Sequence, residues 1–233
     1  MDKGKVFMGL CIFFGLAVLG GMLPKMAAEF KSYDRVVSVK GLCEKEVPAD
    51  KVIWPLSYKV VGDDINLINT QITTKNAVIK NFLHAGGITD QEISVTVPSI
   101  SDKYAQEYGS NNRLYRYVAT STVTVCTKSV DKVLELMSKQ AELLSQNIVL
   151  SNEWDAQPQF NFEGLNDIKP EMIEEATRNA RDVAKKFAKD SDSKLGKIKD
   201  ASQGTFSIDD RDSNTPYIKK VRVVTYVTYY LKK

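Results

Sequence analysis

The run from Val6 to Leu23, VFMGLCIFFGLAVLGGML, contains no charged residue. No other feature limits the chain more. A segment apolar on every side has no face to offer water, so protein or lipid must cover it. Its length is at the lower edge of a bilayer span, which takes about 20 apolar residues. It is longer than the apolar stretch of about 7–15 residues in a cleaved signal peptide. The best cleavage position follows Ala28, yet Met26 occupies a place where a small residue is preferred. Residues 1–30 therefore read as an uncleaved signal anchor, with release after cleavage near Ala28 as the alternative. Lys3 and Lys5 precede the run and Lys25, Lys31 and Arg35 follow it, so flanking charge leaves the orientation open. An N-terminal anchor ahead of a long C-terminal domain commonly exports that domain. The expectation is a folded part outside the cytoplasm, in a bacterial periplasm or envelope.

The remainder, residues 31–233, has ordinary globular composition, and 32 basic against 29 acidic residues give a net charge of +3. That balance, without a basic stripe among aromatics, argues against a nucleic-acid partner. Cys11 lies in the apolar run, which leaves Cys43 and Cys126 in two separate expected strands. They read as unpaired, strand-buried thiols or as a disulfide, and spacing alone does not decide between these. No C-x-x-C occurs, which removes a zinc ribbon or thioredoxin-like site.

From about Arg35 the pattern alternates. Val52, Trp54, Leu56, Tyr58 and Val60 share one face of a strand. Pro55 within it demands a sheet edge or a bulge, because proline donates no hydrogen bond. Val37, Val39 and Gly41 suggest a partner strand, with a turn near Pro48-Ala49-Asp50. Asp63 and Asp64 can cap a helix carrying Ile65, Ile68, Ile72, Ile79 and Phe82, which Gly86-Gly87 would end. Ile93, Val95 and Val97 form one further strand, and Tyr115 to Val125 another, with Gly109 to Asn112 as the turn between them. Ser129 begins a second helix, with Val130, Val133, Met137, Ala141 and Leu144 on one side. Ile148 to Phe162 is strand-like, although Pro158 interrupts it. A third helix starts near Pro170 and buries Ile173, Ala176, Ala180, Val183, Phe187 and Ala188. A strand follows Gly196, then a polar segment from Gly204 to Pro216, then an alternating final strand from Val221 to Leu231. The order is ββαββα followed by βαββ. It implies an α+β fold of mainly antiparallel sheets with helices packed on one face, preceded by one N-terminal hydrophobic helix. Residues 34–128 with 193–233, and residues 129–192, are the natural places to divide it further.

Chemistry is hard to find. The one histidine, His84, ends the first helix and reads as a surface or cap residue. There is no G-x-S-x-G, G-x-G-x-x-G, P-loop or H-E-x-x-H. Asp63-Asp64 read as a helix cap and Asp209-Asp210 as part of a mobile loop. No catalytic, cofactor-binding or metal residue is assigned, no cofactor is expected, and the chain reads as a non-enzyme. The tyrosines stand out: Tyr115, Tyr117, Tyr226, Tyr229 and Tyr230 on two strands, with Tyr104 and Tyr108 near a turn. On strands they usually stabilise cross-strand pairs, and the competing reading is an aromatic docking surface.

Several of these motifs together resemble the SIMPL domain family (DUF541). Its members open with a strand ending in glycine, a P-x-D turn and a second strand, matched by Gly41, Pro48, Asp50 and the residues to Val61. FLHAGGITDQEISV resembles its L-x-x-x-G-I-x-x-x-D-I region through Leu83, Gly87, Ile88 and Ile93. The late alanine-spaced helix followed by L-G is matched by Ala176, Ala180, Ala184, Ala188, Leu195 and Gly196. The expected uncleaved anchor departs from the many members that look exported by cleavable signals. The resemblance implies an envelope-associated protein, with homo-oligomers in some members and a link to oxidative stress in some, and it carries no catalytic residue over. The expectation is a membrane-tethered, self-assembling, non-enzymatic envelope protein. A ligand- or partner-binding module using Gly204–Pro216 and a redox-responsive protein using Cys43 and Cys126 are the alternatives.

Overall fold

A computed structural model of the chain describes residues 3–32, 35–105 and 114–232. The fold is α+β with antiparallel sheets and one N-terminal helix, as the residue pattern implies. That helix, α1 (Lys3–Ser32), contains the whole apolar run. The strands and helices that follow divide between two compact units.

The larger unit comprises Glu46–Asn166 and Ile208–Lys220. Its centre is the pairing of β2 (Lys51–Gly62) with β5 (Tyr117–Thr127), which puts Val52 opposite Thr127, Leu56 opposite Val123 and Val60 opposite Ala119. The alternation turns Val52, Trp54, Leu56, Tyr58 and Val60 to one buried face with Ala119, Ser121, Val123 and Val125. Helix α2 (Ile65–Ala85) covers that face with Ile68, Ile72, Ile79 and Leu83, and α3 (Val130–Lys139) adds Val130, Val133 and Leu136. Asp64 caps α2 by accepting from the Asn66 and Leu67 amides, and Gly87 follows its end at φ +80. Burial in this core removes Tyr58 completely from solvent, and its hydroxyl lies 3.1 Å from the Ile72 carbonyl and 2.8 Å from Asn76 Oδ1.

The second unit comprises Met1–Lys45, Asp167–Ser207 and Val221–Lys233. Its sheet has the order β1 (Val36–Pro48), β9 (Ile218–Lys232), β7 (Lys194–Gln203). Helix α5 (Leu165–Asp190) buries Met172, Ala176, Ala180, Ala184 and Ala188. A methyl built on Gly41 would sit 1.8 Å from the Ala176 carbonyl oxygen, so only glycine admits the helix backbone there. One built on Gly196 would meet the Tyr230 carbonyl at 2.7 Å, beside an irregularity in the β7–β9 register.

Several expectations need correction. β1 and β2 do not form a hairpin: they belong to different sheets. At the turn, Ala49 N donates to the Tyr217 carbonyl and Asp50 N to the Asn161 carbonyl. The strand expected from Ile93 to Val97 breaks into β3 (Ile93–Val95) and β4 (Ser99–Asp102), both paired with β5, because Pro98 between them cannot donate. The second helix divides at Gln140 into α3 and α4 (Ala141–Ser145), and Leu144 faces solvent. Only β6 (Gln159–Asn161) is regular strand between Ile148 and Phe162. Helix α5 begins at Leu165, ahead of Pro170. Its buried row takes every fourth residue, an inclined row on the helix surface, so Val183 and Phe187 are exposed. The segment Gly204–Pro216 holds β8 (Ser207–Asp210), paired with β9. Its tip is fastened by Asp212, which accepts from the Asn214 and Thr215 amides. Asp209 and Asp210 thus lie in a strand, and Asp210 pairs with Lys219. The compact units also cut the chain elsewhere than at 128 and 192, since α5 packs with β1 and β9 while α3 packs with β2. The turn expected at Gly109–Asn112, and Tyr108, lie outside the described residues.

Pro55 occupies the kind of position its chemistry demands. The Ser57 carbonyl accepts from the Ser151 amide, at 2.6 Å, so Ser57, Pro55 and Ile53 direct their polar atoms to that side of β2. There β6 pairs with β2 only from Lys51 to Ile53, which leaves the Pro55 nitrogen with no ladder to serve.

Candidate interaction surface

The side chains able to do chemistry are dispersed. His84 is exposed in the last turn of α2, with Nε2 3.2 Å from Asp90 Oδ1. Asp63 accepts from the Arg116 amide and Asp64 caps α2. Among the described residues, no three His, Cys, Asp or Glu side chains come together to hold a metal ion.

The three thiols are free; no disulfide joins Cys43 and Cys126. Cys43, on β1, is 3% exposed and its Sγ donates to Glu175 Oε2 at 3.3 Å. Burial, and then the Glu175 carboxylate, push its pKa up to about 11. A thiol held protonated in this way is a poor nucleophile. Cys126 ends β5 on the face away from the core and is exposed. The expectation of two strand-buried thiols thus holds for Cys43 alone.

Among the described residues, the second unit's sheet has one buried face and one exposed face. Alternation places Val221, Val223, Val227 and Tyr229 of β9 on the buried face and turns Arg222, Tyr226 and Tyr230 the other way. On that open face Lys40 Nζ lies 5.1 Å from the centre of the Tyr226 ring, and Lys199 Nζ 5.6 Å from that of Tyr230. Arg222 reaches Glu44 at 3.6 Å, and the Ser38 and Thr228 hydroxyls meet at 2.9 Å. Leu42 is exposed beside them on β1. A cation over an exposed ring keeps both groups ordered while leaving their outer surfaces accessible. The two tyrosine readings are therefore both realised: Tyr229 is core, while Tyr226 is surface. In the larger unit Tyr117 packs against the core, whereas Tyr104 and Tyr115 are exposed and Arg116 lies over Tyr104 and Tyr117.

The larger unit presents a groove of about 240 Å³, lined by Gln140, Ala141, Leu144, Ile148, Val149 and Leu150. Trp154, on the 3-10 turn that follows, is 92% exposed. Residue order alone hides this groove, because Leu144 falls on the expected buried side of the second helix and Ile148 to Phe162 reads as strand. An indole in a short polar stretch, NEWDAQP, was the available signal.

Over residues 7–23 helix α1 shows no polar stripe: Phe7, Phe13, Phe14, Leu16 and Leu19 are all exposed. Among the described residues no helix is long and apolar enough to cross a membrane. The apolar run with described side chains covers residues 7–23, just short of the about 20 residues a span takes.

A family model described as SIMPL, protein of unknown function (DUF541), matches residues 37–228. The match runs from the start of β1 almost to the end of β9 and leaves α1 outside. No curated protein matches the chain.

Proposed function

The chain belongs to the SIMPL family, whose function is unknown, and from that premise we propose that it is a non-enzymatic cell-envelope protein, tethered by α1 and assembling with copies of itself. The carrying observation is the open face of the β1-β9-β7 sheet. It bears Leu42 and the Lys40–Tyr226 and Lys199–Tyr230 pairs, and tyrosine rings are enriched at protein interfaces. The all-round apolar surface of α1 supports tethering, because it has no stripe with which to pack on a soluble core and a wet remainder. The position of that helix ahead of β1 and the long chain after it support export of the folded part. A stress-related role rests on the family resemblance alone.

The mass of the full chain in detergent, by light scattering with the detergent contribution subtracted, tests this reading. A discrete multiple of the 26.1 kDa chain supports it, and Tyr226→Ala with Tyr230→Ala should then lower the mass. A monomer over the accessible concentration range rejects assembly. The groove beside Trp154 then favours a second reading, a partner-binding module. A redox role is disfavoured at Cys43 by its protonated, carboxylate-bonded thiol.

A further inference from the structure

The topology gathers exposed positive charge at one end of the second unit's sheet. There the Leu231 amide donates to the Arg35 carbonyl at 2.8 Å, and Lys194 stands opposite Lys232 in the β7–β9 ladder. The Arg35 guanidinium donates to the Ser193 hydroxyl at 3.0 Å. Helix α5 finishes at the same end, where the Ser193 amide donates to the Ala188 carbonyl at 2.8 Å. Arg35, Lys186, Lys189, Lys194 and Lys232 are all exposed, against Asp190 and Asp192. Among the described residues, none of those four lysines has an ion pair. Between Lys186 and Lys189, the Phe187 ring is 56% exposed, with Val183 one turn before it.

Chain connectivity limits how far this end can lie from whatever holds the apolar run of α1. Helix α1 ends at Ser32 and β1 begins at Val36, and the three links from Ser32 to Arg35 reach at most about 11 Å. The far part of β1, at Lys45, lies about 30 Å further along the strand. The apolar run ends at Leu23, nine residues or about 14 Å before Ser32 along the helix, so whatever holds that run lies within about 25 Å of Arg35, short of the distance to the opposite end of the sheet.

We infer that this end, with Arg35, Lys186, Phe187, Lys189, Lys194 and Lys232, is a rim that seats the unit on the anionic phospholipid headgroups of the membrane holding α1. The inference rests on the reading of α1 as a membrane anchor. Lysine stems reach along apolar surface and place the ammonium at phosphate depth, while an exposed phenyl ring enters the headgroup boundary. Clustered basic side chains beside an anchor add attraction that depends on lipid charge and falls with salt. Neither property follows from the anchor alone.

The test is flotation of the full chain with vesicles of neutral phosphatidylcholine, and of phosphatidylcholine with phosphatidylglycerol, followed by amide hydrogen exchange in both. The expected result is flotation with both lipids. Exchange across residues 186–197 should be about tenfold slower in the anionic vesicles at low salt. High salt, or Lys186→Gln with Lys189→Gln and Lys194→Gln, should remove that difference while flotation persists. Phe187→Ser should weaken it partly. Flotation with both lipids and equal exchange overturns the rim and leaves the anchor standing. Salt-sensitive flotation with anionic vesicles only upholds the rim and overturns the anchor, whereas no flotation with either overturns both.

Discussion

The two units cover a sheet by opposite means. In the larger one, the face of β2 and β5 carries Trp54, Leu56, Tyr58 and Val123, and α2 answers with isoleucines and Leu83. The helix is held off by large side chains that interdigitate. In the other, α5 presents a row of alanines and β1 answers with Gly41, so backbone meets backbone. Tyr229 and Val39 fill the remaining space around Ala180 and Ala184. The first arrangement stores its stability in buried area. The second stores it in fit, with no room to spare. Hence the same substitution type should act with opposite sign of volume change in the two places: the larger unit should suffer from lost atoms and the other from added ones.

Loss of volume should give the largest effect. Leu56→Ala, at a fully buried position, should cost about 3–4 kcal/mol, measured as a lower urea midpoint for the larger unit. If Leu56→Ala were nearly silent, the contrast would break at its stronger limb. Gly41→Ala adds one methyl and should cost about 2–3 kcal/mol, because the obstructing atom is the Ala176 carbonyl rather than a movable side chain end. A Gly41→Ala protein as stable as the parent would mean that α5 can retreat, and the unit would not be close-packed in the sense argued.

Two tyrosines refine the comparison at a smaller scale. Tyr58 and Tyr229 are both buried, but only Tyr58 has a polar neighbour: its hydroxyl reaches Asn76 and the Ile72 carbonyl. Among the described residues the Tyr229 hydroxyl has no partner, nor has that of Thr225. Tyr58→Phe should therefore destabilise by about 1–1.5 kcal/mol, while Tyr229→Phe should be neutral or stabilise by up to about 1 kcal/mol. Thermal denaturation of both variants checks this, and equal losses would imply a bound water at Tyr229.

Much of this was legible from residue order, and the misses share a cause. The buried face of β2 could be read directly, because its alternation has one interpretation. Gly41, Pro48 and Asp50 could be marked as a motif, and Asp50 proves to accept from the Glu163 and Gly164 amides, 113 and 114 residues away. That reach explains why the motif was visible while its role was not. The pairing of β1 with β9 failed for the same reason, since nothing local distinguishes it from a hairpin with β2. Phe187 was assigned to a core because the average helical period was assumed, whereas α5 buries a strict every-fourth row. The open sheet face was half visible in the tyrosines of β9. Lys40 and Lys199 come from other strands, and only the sheet order brings them over those rings.

The finest contrast lies in the two thiols of the folded part. Cys43 belongs to the close-packed unit, buried with its proton directed at Glu175; Cys126 lies on the exposed face of the other. Burial and the adjacent carboxylate both disfavour the Cys43 thiolate, which is why its pKa rises from 9.0 to about 11. A folded value above the unfolded one means that the native state holds the proton more tightly. This contribution to stability is complete below about 9 and is lost as pH climbs through about 11. Iodoacetamide at pH 8 should therefore alkylate Cys126 readily and leave Cys43 unmodified, with mass spectrometry of peptides as the readout. Glu175→Gln should bring the Cys43 thiol partway back toward its ordinary range and speed its labelling, leaving burial as the remaining barrier. Equal rates at Cys43 and Cys126 in the parent chain would show that α5 opens away from β1 far more often than a backbone-to-backbone contact permits, and would restore the redox alternative that the geometry disfavours.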